Sequence, residues 1–388
     1  MNTQDPAGDD IIRITANRQG GEISRVKVHI PARAWMGDQV IGMTPAAATA
    51  HLLAHASHSP RAHACALEQA CAFALGQTGA DTDDEARVAI ERRLAAEMAD
   101  AHLRRLLIDW PPQFGFEPRY NRYAEFHRRL DAETDAETAF ALGGEVLDLV
   151  AREMLAGFFN QIRMPHGIGE FIDRLNAGGS LSSVMSSLIA MGASTLPGKP
   201  TQLLGTLSAA AWVGSVGTWP SAEFVRRPTY CGAPAETGPV ARHAPSPLVR
   251  LLLERGHRVS ARLFAKAIDV ADCASRMRHP HTDEVPPLID AVLASPGVGM
   301  ARVATARGAL LCWVRMADGV IADCVMIPAG AWNFHPEGPF CREAVCAPAQ
   351  GEDLAGAHKR LTVLALALDP SIEHVVEITE RPAARKRD

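Results

Sequence analysis

The sequence predicts an α+β protein, mostly helical, with a central bundle of long helices and small β hairpins near both termini. Alternating apolar and polar residues flank Gly20-Gly21 near the start and Ala317-Asp318-Gly319 near the end, the pattern of strands joined by tight turns. Between them lie several stretches with apolar residues at helical spacing, bounded by capping residues and prolines. Apolar residues make up 47% of the 388, enough for a sizeable core, and one large domain over residues 11–378 accommodates them.

The first hairpin is expected over residues 11–16 and 23–30. A helix should begin at Thr44, with Pro45 at its first position, and run to about Ser59, where Pro60 stops it and opens another. Thr82 and Glu85 make a capping box for a long helix that reaches Trp110, ended by Pro111-Pro112. A third long helix is expected over residues 136–161, and a fourth from Ser246-Pro247 to about Met277. Residues 217–247, rich in Pro, Gly and Arg, form an irregular crossing. The second hairpin covers residues 309–316 and 320–327, and a last helix residues 354–368. Residues 1–10 are expected to be disordered, and residues 379–388 form a basic C-terminal tail.

Composition removes several classes of function. The formal charge is 39 minus 44, or −5, with no basic footprint for nucleic acid. The polar, acidic start lacks the features of a secretory signal. The small-residue stretches 181–193 and 203–216 fall short of the ~20 apolar residues a membrane span needs. A soluble, cytoplasmic protein with no membrane partner is expected. Its eight cysteines include no C-x-x-C pair and should be reduced thiols.

Specificity comes from short motifs in order. Residues 104–115 read RRLLIDWPPQFG, and Gly238-Pro239-Val240-Ala241-Arg242 follows later. Residues 302–333 read RVATARGALLCWVRMADGVIADCVMIPAGAWN, and Leu368-Asp369-Pro370 lies near the end. Together these resemble the large subunit of nickel–iron hydrogenases, with its G-P-L-A-R, E-A-P-R-G, H-W, P-x-x-W-N and D-P-C-x-x-C-x-x-H segments. That family holds its metals with four thiolates from two C-x-x-C motifs. If Pro60 and His63 stand in the family's P-x-x-H, the first two thiolate positions fall on Ala56 and Ser59. The other two fall on Ser371 and His374, and the family's terminal histidine on Glu377. A shifted frame would use Cys65 instead. Soft thiolates suit nickel and low-spin iron, so the resemblance implies that no nickel is held and no hydrogen activated.

Other positions match. Arg307-Gly308 corresponds to the family's active-site arginine, whose guanidinium presents fixed donors to diatomic iron ligands. The combination resembles the HupK/HoxV-type accessory proteins of hydrogenase operons, large-subunit relatives without the full ligand set. This implies a non-enzymatic scaffold that transiently receives Fe(CN)2(CO) and passes it on, with the large-subunit precursor and maturation chaperones as partners. The alternatives are a metal-free partner or chaperone of hydrogenase subunits and, third, a divergent hydrogenase or respiratory-complex relative.

Cys312, before Trp313, is the first candidate iron ligand, beside Arg307 and Gly308 in a β unit expected to line the pocket; the alternative is a buried strand cysteine. His374 is the second, replacing a cysteine outright, against a solvent-facing histidine. Ser371 offers only a weak oxygen. His51, His55 and His58 fall on one helical face, with His63 and Cys65 beyond, and this stripe is either a nitrogen-rich metal site or a set of hydrogen-bonded histidines. Cys341 and Cys346 are a thiol pair at the pocket mouth or inconsequential loop residues. Arg242 is expected, from the resemblance, to make a buried structural ion pair.

Overall fold

The computed structural model describes residues 11–31, 36–77, 84–132, 135–161, 163–195, 200–280, 286–345 and 352–381. Thr82, Cys346, the expected disorder of residues 1–10 and most of the basic tail lie outside these.

Strands β1 (Ile12–Gln19) and β2 (Glu22–His29) form the expected hairpin. Gly20 and Gly21 both have positive φ, 59° and 89°, as a turn matched to strand twist requires. Helix α1 (Pro45–His55) is capped by the Thr44 hydroxyl, which accepts from the Ala47 N–H. It ends short of Ser59, so His58 leaves the face shared by His51 and His55 and sits in the turn before α2 (Pro60–Ala74). Helix α3 (Asp84–Arg104) continues through a π-helical turn, Arg105–Asp109, to Trp110. Then come α4 (Tyr120–Asp131) and α5 (Ala136–Asp148), the latter prolonged by a π-helical turn to Met154 and ending before residue 161.

The middle of the chain is made of short pieces: α6 (Ile168–Leu175), α7 (Ser180–Ala190), β3 (Gln202–Leu203), α8 (Ala209–Val216), α9 (Ala222–Arg226), β4 (Ala235–Glu236) and α10 (Pro239–Arg242). The single helix expected over 247–277 is two, α11 (Pro247–Glu254) and α12 (Arg258–Arg278), because Gly256 adopts a left-handed φ of 79° between them.

The second hairpin is half of a larger sheet. Strands β5 (Ile289–Ser295), β6 (Val298–Thr305), β7 (Gly308–Ala317) and β8 (Val320–Ile327) form a four-stranded antiparallel meander. β6 is buried along its whole length, so it shows no alternation to betray it. Helices α13 (Ala329–Asn333), α14 (Pro339–Ala344) and α15 (Leu354–Leu368) lead to β9 (His374–Arg381). β9 joins the first hairpin, parallel to β1, so ordered structure extends past residue 378.

Helix α12 is the centre of the bundle and packs on α3, α5, α11 and α15. Fifteen of its 21 residues are buried. α2 lies across β6 so closely that a Cβ at Gly299 would overlap the Ala70 carbonyl oxygen, and only glycine fits there. Among the described residues, no helix is long and apolar enough to cross a membrane.

Candidate functional site

The motifs that carry the resemblance meet at one place. Gly308 has φ 137°, and a Cβ there would overlap the Thr237 side chain, so the turn between β6 and β7 docks directly on the segment before α10. Thr237 accepts from the Ala309 N–H through its hydroxyl, at 3.0 Å. The Asn333 carboxamide accepts from the Thr237 N–H at 3.0 Å and donates to the Leu368 carbonyl at 3.2 Å. The arginine-glycine, glycine-proline, tryptophan-asparagine and aspartate-proline segments are therefore tied together by their own polar groups, as buried backbone requires.

Asp369 follows α15 in a left-handed conformation, φ 60°, which turns its carboxylate back into the protein. Lys266 Nζ lies 2.6 Å from its Oδ2 and Arg105 Nε 2.8 Å from its Oδ1. Arg307 Nε is 3.5 Å from the same Oδ1, an ion pair without hydrogen-bond geometry, and this buried nitrogen has no hydrogen-bond partner among the described residues. Burial alone would raise the Asp369 pKa, but Lys266, Arg105 and Arg307 outweigh it and hold the carboxyl well below the ordinary range.

In front of Arg307 lies an open cavity of about 950 Å³. The turn before α2 supplies His58 and Ser59, α3 supplies Glu97, and the segment after α15 supplies Ser371 and His374. Three of the four positions at which the family resemblance places thiolates thus line the same cavity, and Ala56 packs partly buried against the core. No cysteine lines this cavity among the described residues. Burial, then Arg307 and His63, push His58 well below its ordinary value, and burial also lowers His374, so both offer neutral imidazole. Burial raises Glu97 to about 7, partly offset by the N–H groups of Arg61 and Ala62, which donate to its two oxygens at 2.8 and 3.1 Å.

The other candidates lie elsewhere. Cys312 does not line the cavity: it is fully buried in β7 and faces Cys324, its thiol pushed well above the ordinary value by a hydrogen bond with Cys324 and by burial. The cause is that β7 is covered on both faces here, with Leu311, Cys312 and Trp313 all fully buried. His63 is buried in α2, its Nδ1 2.9 Å from the Ser59 carbonyl. Cys65, also on α2, is outside the lining, and burial followed by Glu68 raises its thiol to about 12. His51 and His55 stack on each other, 4.3 Å apart. Among the described residues, no group of three or more His, Cys, Asp or Glu side chains is arranged to hold a metal ion. Cys341 is buried in α14. We expect Cys312→Ser to lower stability by about 1–3 kcal/mol, measured by denaturant unfolding, through a desolvated hydroxyl, without altering the cavity.

The residues that the sequence hid are on α12. Arg262, Lys266 and Asp269 follow one another along one side of this buried helix, and each organises an ionic cluster. Arg262 bonds both Glu236 and Glu343, with Arg258 alongside. Lys266 holds Asp369 behind Arg307. Asp269 accepts from Arg242, His102 and His243, which gives Arg242 the buried ion pair expected of it. Charged residues at i, i+4 and i+7, set among the apolar positions that α12 buries, were the available signal.

This arrangement is that of a hydrogenase-large-subunit-like protein. The chain superposes on the nickel–iron–selenium hydrogenase of D. vulgaris Hildenborough with a TM-score of 0.59 over 91% of its own length and 94% of that chain, at 16% identity. The reduced hydrogenase of Desulfomicrobium baculatum gives a TM-score of 0.62, covering 92% and 95%, at 15% identity. No protein-family model matches the sequence. In sequence, the chain is similar to hydrogenase expression/formation proteins. It is 26% identical to HoxV of Cupriavidus necator over 90% of this chain and 92% of that protein. It is 33% identical to HupV of Azotobacter chroococcum over 39% of this chain and 40% of that protein, and 32% identical to HupK of Azotobacter vinelandii over the same shares.

Proposed function

We propose that this chain is a non-enzymatic accessory protein of nickel–iron hydrogenase maturation that shelters the Fe(CN)2(CO) fragment in the cavity before Arg307 and passes it to the large-subunit precursor. One observation carries this: the cavity keeps its arginine, but Ser59, Ser371 and His374 stand where the family resemblance places thiolates. Oxygen and neutral nitrogen donors grip soft iron less firmly than thiolates, which suits a protein that must release its cargo. Arg307 offers fixed N–H donors toward cyanide nitrogen, and Asp369 keeps its guanidinium charged and in place. No nickel is expected at such a donor set. The similarity to proteins named for hydrogenase expression and formation supports a role in maturation, and the reading places that role in the cytoplasm beside the precursor and its chaperones.

The test is the iron content of protein purified without oxygen from cells that express the other maturation proteins. Wild-type and Cys312→Ser proteins should carry substoichiometric iron, and Arg307→Ala should lose most of it while still folding. Equal iron in the Arg307→Ala protein would contradict the cavity as the binding place. An iron-free wild type that still copurifies with the precursor would favour a metal-free chaperone.

A further inference from the structure

The cavity wall contains a carboxyl group, Glu97, that lines the same space as Arg307 and also caps the first turn of α2. We propose that Glu97 sets the cavity's ligand specificity, so that a small anion is bound opposite Arg307 together with one proton from solvent that neutralises the Glu97 carboxylate. This deepens the proposed function and rests on it, since the cargo there is anionic.

The geometry starts from α3, whose Glu97 points at the first turn of α2 and accepts from the N–H groups of Arg61 and Ala62. It lines the cavity with Arg307, yet no direct ion pair joins them: Arg307 is paired with Asp369. An anion drawn to the guanidinium therefore meets a carboxylate on the adjoining wall. If that carboxylate is charged, the two repel across the cavity, more strongly than in bulk water because protein lines the space around them. If it is protonated, repulsion is replaced by a neutral acid that can donate to the anion.

The surrounding charges do not remove the conflict. From α2, the Arg61 guanidinium is drawn away to Asp131 at the end of α4, at 3.2 Å, and Cys65 stays a neutral thiol. Further along α3, Asp100 adds a second carboxylate, paired with His127 of α4 at 2.9 Å, and Arg104 lies exposed at the rim. From the turn before α2, His58 is held neutral by burial and by Arg307. On the far side, Asp369 is engaged by Lys266 and Arg105. Burial leaves Glu97 as the carboxyl that titrates near neutrality, at about 7.

Thiocyanate is a suitable probe, because it stays a monoanion from pH 6 to 8 and its C≡N stretch reports binding in the infrared. Its dissociation constant should weaken about tenfold from pH 6 to pH 8 in the wild type, the change in the protonated fraction of one group with a pKa near 7. In Glu97→Gln the two values should agree within about twofold. Calorimetry of the wild type at pH 8, in buffers of different ionisation enthalpy, should show uptake approaching one proton per anion; this needs no variant to fold. A pH-independent affinity, no thiocyanate binding at either pH, no proton uptake, or a slope that persists in Glu97→Gln would each overturn the proposal. None of these results bears on whether the protein carries iron, which the metal analysis measures separately.

Discussion

Asp369→Ala should cost about 3–5 kcal/mol of folding stability, read as a lower midpoint in denaturant unfolding. The carboxylate is 4% exposed and is the shared counter-ion of Lys266, Arg105 and Arg307. Its removal leaves three cationic side chains close together, one of them, Lys266, fully enclosed, with burial already disfavouring its charge. Breaking a buried pair from one side costs more than the intact pair contributes, because the orphaned charge remains desolvated. The pH dependence carries the same signature. A carboxyl whose native pKa is depressed stabilises the fold fully above its unfolded value, about 4, and the contribution fades as pH falls toward the native value. Wild-type protein should therefore lose stability below about pH 4, and Asp369→Ala should lose less over that interval. Equal acid sensitivity would show that Asp369 is not the group responsible.

Arg262→Met should be of similar size, again about 3–5 kcal/mol. Arg262 is 3% exposed and bonds both carboxylates of Glu236 and Glu343, each at 2.7 Å. Without it, two buried negative charges share Arg258 alone. The comparison that isolates the cause is the triple variant Arg262→Met with Glu236→Gln and Glu343→Gln. It should recover part of the lost stability, since both carboxylates are removed together with their shared partner and only Arg258, 12% exposed, is left without counter-ions. If the triple variant is no more stable than Arg262→Met, lost packing rather than unpaired charge explains the effect.

How much of this was legible in the sequence depended on whether the signal was local. The two hairpins carried their turn residues, Gly20-Gly21 and Asp318-Gly319, and were read correctly. The helix over residues 354–368 matches α15 residue for residue. β6 escaped because burial on both faces leaves no alternation, and β9 because its strand character depends on pairing with β1, more than 350 residues away. The break between α11 and α12 was marked only by Gly256, within an otherwise continuous apolar pattern. At the site, motif spacing placed Ser59, Arg307, Ser371 and His374, and the fold brings these to one cavity. Cys312 was misplaced because adjacency to Arg307 in sequence says nothing about whether the strand that follows is covered on both faces. Glu97 was invisible, a single acid in a charged helix, distinguished only by the distant segment that buries it.

Infrared spectroscopy of the protein, purified anaerobically from cells expressing the remaining maturation proteins, reads the proposed cargo directly. Cyanide and carbonyl stretches should be present in wild-type and Cys312→Ser proteins and should shift or vanish in Arg307→Ala. A spectrum without those bands, from folded protein still bound to its hydrogenase partner, would mean that the cavity does not carry the iron fragment.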